Sequence, residues 1–260
     1  MQTNVSGRPA ELELRPLSAR SVVLSLLLGM RPPELPVKDL VRHVEVFGVA
    51  GSTLRAALSR MVSAGDLRRA DAVYRLSDRL LERRRRQDEA VHPETRPWDG
   101  DWEMAVVTAT GRRPAERADL RTRLTALRLA ELREGVWLRP ANLHRTRPPG
   151  LDAAVQHFTC RPDQPTDGPT SGGPTAGELA ARLWPLDAWA ATSEALLAHI
   201  ERTREPADRF TALAAAVRHL LADPVLPPEL LPDRWPGPEL RAAYTTYRRE
   251  LVETVLGRAD

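Results

Sequence analysis

The side chains best suited to recognition chemistry lie in GSTLRAALSRMVSAGDLRRADAVYRL, residues 51–76. Leu54, Ala57, Leu58, Met61 and Val62 recur at the i, i+3, i+4, i+7, i+8 spacing of a helix with one buried face. That spacing leaves Ser52, Thr53, Arg55, Ser59, Arg60 and Ser63 on other faces, free to meet a partner. Arginine can donate two parallel hydrogen bonds to the major-groove edge of guanine, so Arg55, near the start of this helix, is a candidate base reader. Gly65 stands where a left-handed C-terminal cap belongs, and two short strands follow, Leu67 to Arg69 and Val73 to Leu76, around an Ala70-Asp71-Ala72 turn. Arg68, Arg69 and Arg75 on those strands suit phosphate contact better than base reading, and Tyr74 suits packing of the hairpin on a core.

Positioning such groups requires a scaffold, and the preceding residues supply one. SARSVVLSLLLGM puts Val22, Val23, Leu26 and Leu27 on one helical stripe, which Pro32-Pro33 ends. Pro36 opens a second helix, PVKDLVRHVEVFG, with Val37, Leu40, Val41 and Val44 inward and Gly48 closing its turn. Helix, helix, helix, hairpin is the order of a winged helix-turn-helix, whose third helix enters the major groove while the hairpin follows phosphates or the minor groove. The plainer alternative is a packed helix carrying ordinary surface arginines. Next comes SDRLLERRRRQDEAVH, a helix with Ser77 as N-cap, whose Arg83 to Arg86 run is read as solvated surface with a phosphate contact as the second reading.

Charge follows the same division. Residues 18–90 hold 14 Lys plus Arg against 9 Asp plus Glu, a surplus of five, whereas the whole chain of 260 residues carries +3, leaving −2 for the rest. A basic surplus in the first third fits a nucleic-acid module, because phosphate neutralisation drives affinity. The chain has one cysteine, Cys160, so no intramolecular disulfide is expected, and the six histidines show no metal-ligand spacing. Neither a metal nor a cofactor is expected. MQTNVSGRPAELELRP lacks the pattern of a secretory signal, and no long apolar run occurs, so the expected compartment is the cytoplasm.

Beyond the connector HPETRP, the strand WEMAVV, the helix PAERADLRTRLTALRLAEL and the strands GVWLRP and DAAVQHFTC suggest a small ferredoxin-like α/β unit. No glycine-rich phosphate loop accompanies it. RPDQPTDGPTSGGPTAG reads as a flexible loop, and the remainder as helices joined by the proline-rich DPVLPPELLPDRWPG. The expected fold is α+β. Its parts are a flexible N-terminus (1–17), a winged helix (18–78), a linker helix and connector (79–97), a ferredoxin-like domain (98–160), a loop (161–177) and a C-terminal helical domain (178–260). A nuclease built on such a unit would place an acidic residue at the end of its first strand, and AVVTATG offers threonines there. With no G-x-S-x-G motif either, catalysis is not expected.

RAALSRMVSAG with its hairpin, PWDGDWEMAVV, GVWLRP and ADPVLPPELLPDRWPG, in that order over nearly the whole chain, resemble the signature stretches of the PaaX family, repressors of phenylacetate degradation genes. The resemblance implies a winged helix, a central domain like the ferredoxin-fold nuclease of CRISPR spacer acquisition, and a helical C-terminal domain. It also implies a homodimer on palindromic double-stranded operator DNA, released by an aryl-CoA thioester such as phenylacetyl-CoA. On that basis Arg139 in GVWLRP, with His144 and Arg145 on the following loop, are candidate effector ligands. Two stretches depart from the family's pattern: ALRLAELREG stands where members often carry a Gly-Phe-Gly-like stretch, and the Gly/Pro-rich segment 161–177 is extended. Two alternatives remain open, an activator of another pathway with a different effector, and a winged-helix interaction protein contacting RNA or protein.

Overall fold

The computed structural model describes residue 14 and residues 18–145, 150–162 and 173–256. The expected N-terminal segment 1–17 and the expected loop 161–177 fall largely outside them. In chain order the elements are α1 (Ala19–Gly29), β1 (Glu34–Pro36), α2 (Val37–Glu45), α3 (Gly51–Ser63), β2 (Leu67–Ala70), β3 (Val73–Leu76) and α4 (Asp78–Val91). Then come β4 (Trp102–Val107), α5 (Pro114–Ala126), β5 (Ala130–Arg133), β6 (Val136–Pro140) and β7 (Val155–Cys160). The helices α6 (Ala176–Leu183), α7 (Leu186–Arg202), α8 (Pro206–Leu221) and α9 (Gly237–Leu256) complete the α+β fold. The chain forms two compact units, one of Met1–His92, Ala191–Leu221 and Pro236–Asp260, the other of Pro93–Ala190 and Ala222–Trp235.

In the first unit α1, α2 and α3 surround a core of Val23, Leu27, Leu40, Leu54 and Leu58. Ser18 caps α1, its hydroxyl accepting from the Ser21 N–H. The wing sheet has the order β1-β3-β2, so a strand not expected from sequence, Glu34–Pro36, pairs with β3. Pro36 sits at its end, where a missing N–H costs least. A two-residue loop joins β2 to β3, with Asp71 at φ 49° and Ala72 at φ 62°, the signs of a type I′ turn. The core is not closed by these elements alone. Phe210 of α8, 1% exposed, enters it with its ring 4.4 Å from that of Phe47. The α4 helix, expected as a linker, packs against α8 and α9 within this unit.

The second unit is built on an antiparallel sheet of order β5-β6-β4-β7, the ferredoxin-like strand order. Side chains alternate across it. Ala105, Trp137 and Val155 meet Leu120 and Leu124 of α5 on one face, while Trp102 and Leu138 meet Leu179, Leu226 and Leu230 on the other. Sequence periodicity extends the α5 helix to Leu132, but it stops at Ala126. Arg128 takes φ 57°, Arg128 and Leu129 donate to Thr125 and Leu124, and Ala130 pairs with Leu138 as a strand. Pairing along the open side of β6 overrides leucine's helix preference. Between β6 and β7 the described residues 150–154 form turns, where the ferredoxin pattern has a second helix.

Candidate nucleic-acid interface

On α3 the buried residues Leu54, Ala57, Leu58 and Met61 set which side faces out. Opposite them, 3.6-residue spacing aligns Ser52, Ala56, Ser59 and Ser63 as a ridge of small side chains, with Arg55 and Arg60 on its two shoulders. All six are exposed. A ridge this low lets the helix axis approach the floor of a groove, and the longer arginines then reach to either side. Among the described residues neither arginine has an ion-pair partner, so both guanidinia are available. Thr53 lies further round the helix. It lines, with Arg60, a depression that Ser18 and Arg20 of the α1 start also border. Sequence reasoning named the hydroxyl and arginine positions but passed over Ala56, whose contribution is its small size.

The wing arginines differ among themselves. Arg68 pairs with Asp78 at 2.5 Å and Arg75 with Glu34 at 2.5 Å, both at the surface. Arg69 stacks over the Tyr74 ring at 5.8 Å, and Tyr74 is buried beneath it. Surface ion pairs of this kind are weak, on the order of 0–1 kcal/mol, so a phosphate can displace them. Arg69 needs no such exchange.

One buried carboxylate holds these parts in register. Asp66, 2% exposed, accepts from Arg20 Nε at 3.2 Å and Nη2 at 2.7 Å, and from Arg79 Nη2. Its backbone N–H donates to Met61 O at the end of α3, and its carbonyl accepts from Ser77 N–H at the start of α4. The residue between α3 and the wing is thereby tied to both flanking helices. Spacing alone marks Asp66 only as a polar residue before a strand.

The three candidate effector ligands fall in the second unit and are not equivalent. Arg139 is fully buried. It donates to the carbonyls of Pro140, Arg128 and Val225 at 3.0, 3.4 and 3.3 Å and to Asn142 Oδ1 at 2.8 Å. Burial first, and the nearby charges of Arg145 and Arg128, push its pKa down to about 9, against the pull of Glu103 and Asp223. A candidate effector ligand by the family resemblance, it braces in this structure Val225, a β-branched residue held at φ 51°. A ligand would have to break those bonds to reach it. Arg145 is half-buried and pairs with Glu103 at 2.5 Å, while His144 is exposed and its N–H donates to Glu94 O at 2.9 Å.

Three helices, a β1-β3-β2 wing and an outward arginine-bearing third helix define a winged helix-turn-helix protein, here joined to a ferredoxin-like unit. The chain belongs to the PaaX family. The description PaaX-like protein matches residues 18–80, the PaaX protein central Cas2-like domain matches 95–168, and the PaaX-like protein C-terminal domain matches 184–255. It is similar to the solved structure of an uncharacterised protein from Mycobacterium tuberculosis, with 44% identity and a TM-score of 0.77, over 92% of this chain and 98% of that one. No curated protein matches it. The family assignment makes the chain a PaaX-like regulator. No helix among the described residues is long and apolar enough to cross a membrane.

Proposed function

We propose that this protein is a dimeric, ligand-responsive repressor that binds palindromic operator DNA and is released by an aryl-CoA thioester such as phenylacetyl-CoA. The observation that carries the DNA-binding part is the α3 surface, a ridge of small side chains flanked by Arg55 and Arg60, which have no ion-pair partner among the described residues. In this reading α3 lies in the major groove, with Ser52, Arg55 and Ser59 toward base edges and Thr53 and Arg60 toward the backbone. Arg69 contacts phosphate directly, and Arg68 and Arg75 do so by giving up Asp78 and Glu34. Two copies held at a fixed separation read two half-sites. Release then requires the effector to bind more tightly to an arrangement that cannot span both, since equal affinity for both arrangements shifts nothing. The effector part rests on the family assignment alone.

A gel shift on the protein's own promoter region, with excess nonspecific DNA, tests the reading. Reversal by phenylacetyl-CoA and not by free phenylacetate supports both parts. A specific shift that neither reverses removes the inferred effector. Absence of a specific shift on any adjacent promoter removes the DNA-binding repressor.

A further inference from the structure

The basic surface that begins at the Arg60 shoulder of α3 continues onto two other helices of the first unit. The depression beside that shoulder is bordered by Thr53 and Arg60 of α3, by Ser18 and Arg20 at the start of α1, and by Asp66. Asp66 in turn holds Arg79 of α4. Four residues on from Arg79, Arg83 lies on the same face of α4, about 6 Å further along the helix axis. Arg20, Arg79 and Arg83 have no role in the proposed contacts of α3 and the wing.

Two of these arginines are held ready for an anion. A surface arginine loses side-chain freedom when it binds one, and that loss costs affinity. Arg20 and Arg79 have lost it already, because buried Asp66 accepts from Nε and Nη2 of Arg20 and from Nη2 of Arg79. Both side chains nevertheless stay at the surface, 51% and 69% exposed. A guanidinium carries five N–H donors, so Asp66 leaves most of theirs for a second acceptor. Arg83 is distinct within its run. Arg84 faces Asp88, Arg85 faces Glu82 and Glu89, and Arg86 faces Glu82, whereas Arg83 has no ion-pair partner among the described residues. From Arg60 to Arg83 the surface thus sets four guanidinia against one carboxylate.

We propose that Arg60, Arg20, Arg79 and Arg83 form a phosphate track that carries the DNA backbone past the bases α3 reads. Base pairs flanking each half-site then add affinity without adding sequence preference, since phosphate contacts fix position and carry no base information. This inference rests on the reading of α3 as DNA-binding. The guanidinia are strung over α3, α1 and α4 and do not converge on one point, which suits a polymer better than a compact anion. A duplex supplies such a polymer, with a charge about every 3.4 Å along each strand.

The test is fluorescence anisotropy of the full chain over a salt series on two duplexes. One is the operator trimmed to the outermost base pairs whose substitution weakens binding. The other adds about ten base pairs of arbitrary sequence at each end, roughly one helical turn. The extended duplex is expected to bind about tenfold more tightly at low salt, whatever the added sequence. Arg83→Gln and Arg79→Gln, the latter leaving Asp66 to Arg20, should remove most of that advantage and lower the salt slope by roughly one per copy. Arg85→Gln removes the same charge from the far side of α4 and should change neither. Should Arg79→Gln lower the thermal midpoint, Arg83→Gln decides. Equal affinity for the two duplexes, or an equal loss in Arg83→Gln and Arg85→Gln, overturns the track and leaves the repressor reading. Binding to random duplex without operator preference, weakened by Arg83→Gln and not by Arg85→Gln, keeps the track and removes the repressor. A loss confined to single-stranded RNA assigns the surface to another polymer and overturns the track, and no binding to any duplex removes both.

Discussion

Arg55 and Arg69 are both exposed arginines, and the proposed DNA-binding reading gives them different work. Arg55 stands on a shoulder of the α3 ridge near its N-terminal end, whereas Arg69 lies on the wing over Tyr74. Arg55→Ala is expected to cost about 1–3 kcal/mol of operator affinity and relax base preference at one position of each half-site. Arg69→Ala is expected to weaken all sequences alike and lower the salt slope by roughly one per wing. Fluorescence anisotropy over a salt series and a panel of single-base operator variants separates the two. A uniform loss from Arg55→Ala would move that side chain from base reading to phosphate contact. A second prediction concerns the wing tip. Ala72 holds φ 62°, a region that costs an L-residue roughly 1 kcal/mol, so Ala72→Gly should raise unfolding stability by about that amount in a urea titration. The exposed faces of α3 were legible because a 3.6-residue period assigns sides without tertiary knowledge. Arg84 was not legible. Within Arg83 to Arg86 it is one of four identical letters, and only packing by α8 and α9, more than a hundred residues later, makes it the half-buried one.

Elements are held here by two buried charges whose partners come from distant segments. Asp66 joins Arg20 of α1 and Arg79 of α4 across the junction of α3 and wing, so Asp66→Ala leaves two guanidinia facing an emptied site. Because both arginines are largely exposed and water replaces the carboxylate, the loss is of hydrogen bonds to a charged group, about 1–3 kcal/mol, and that shift should appear as a lowered thermal midpoint. In the second unit Arg139 ties β6 to the 222–226 stretch through the Val225 carbonyl, which also accepts from Asn142 Nδ2 at 3.1 Å. Arg139→Met should destabilise by about 3 kcal/mol, because the carbonyls it serves lose their donor. Thermal melts of the purified variant check this, and an unchanged midpoint would contradict the bracing role. The strand β6 itself was legible as a compact apolar run. Its partner β5 was not, since ALRLAEL has the composition of a helix and only the sheet's free side selects the extended form.

At the scale of the whole chain, the winged helix is not closed by its own residues. Phe210 packs its ring, tilted, against Phe47 at the core that α1, α2 and α3 begin, and Leu251 of α9 packs against the same cluster. Local periodicity could reveal each helix, but contacts separated by some 160 residues leave no periodic trace, which is why α4 read as a linker and α8 as part of a separate helical domain. Residues 18–92 alone should therefore lack the contribution of a buried phenylalanine, worth about 3–5 kcal/mol, which is a large share of a small domain's stability. The fragment should melt non-cooperatively or well below the full chain. Phe210→Ala in the full chain isolates the cause, because it keeps every other segment and removes only this side chain. If the fragment folds cooperatively at the full chain's midpoint, and Phe210→Ala costs nothing, the C-terminal helices do not stabilise the winged-helix core that Phe210 and Leu251 enter.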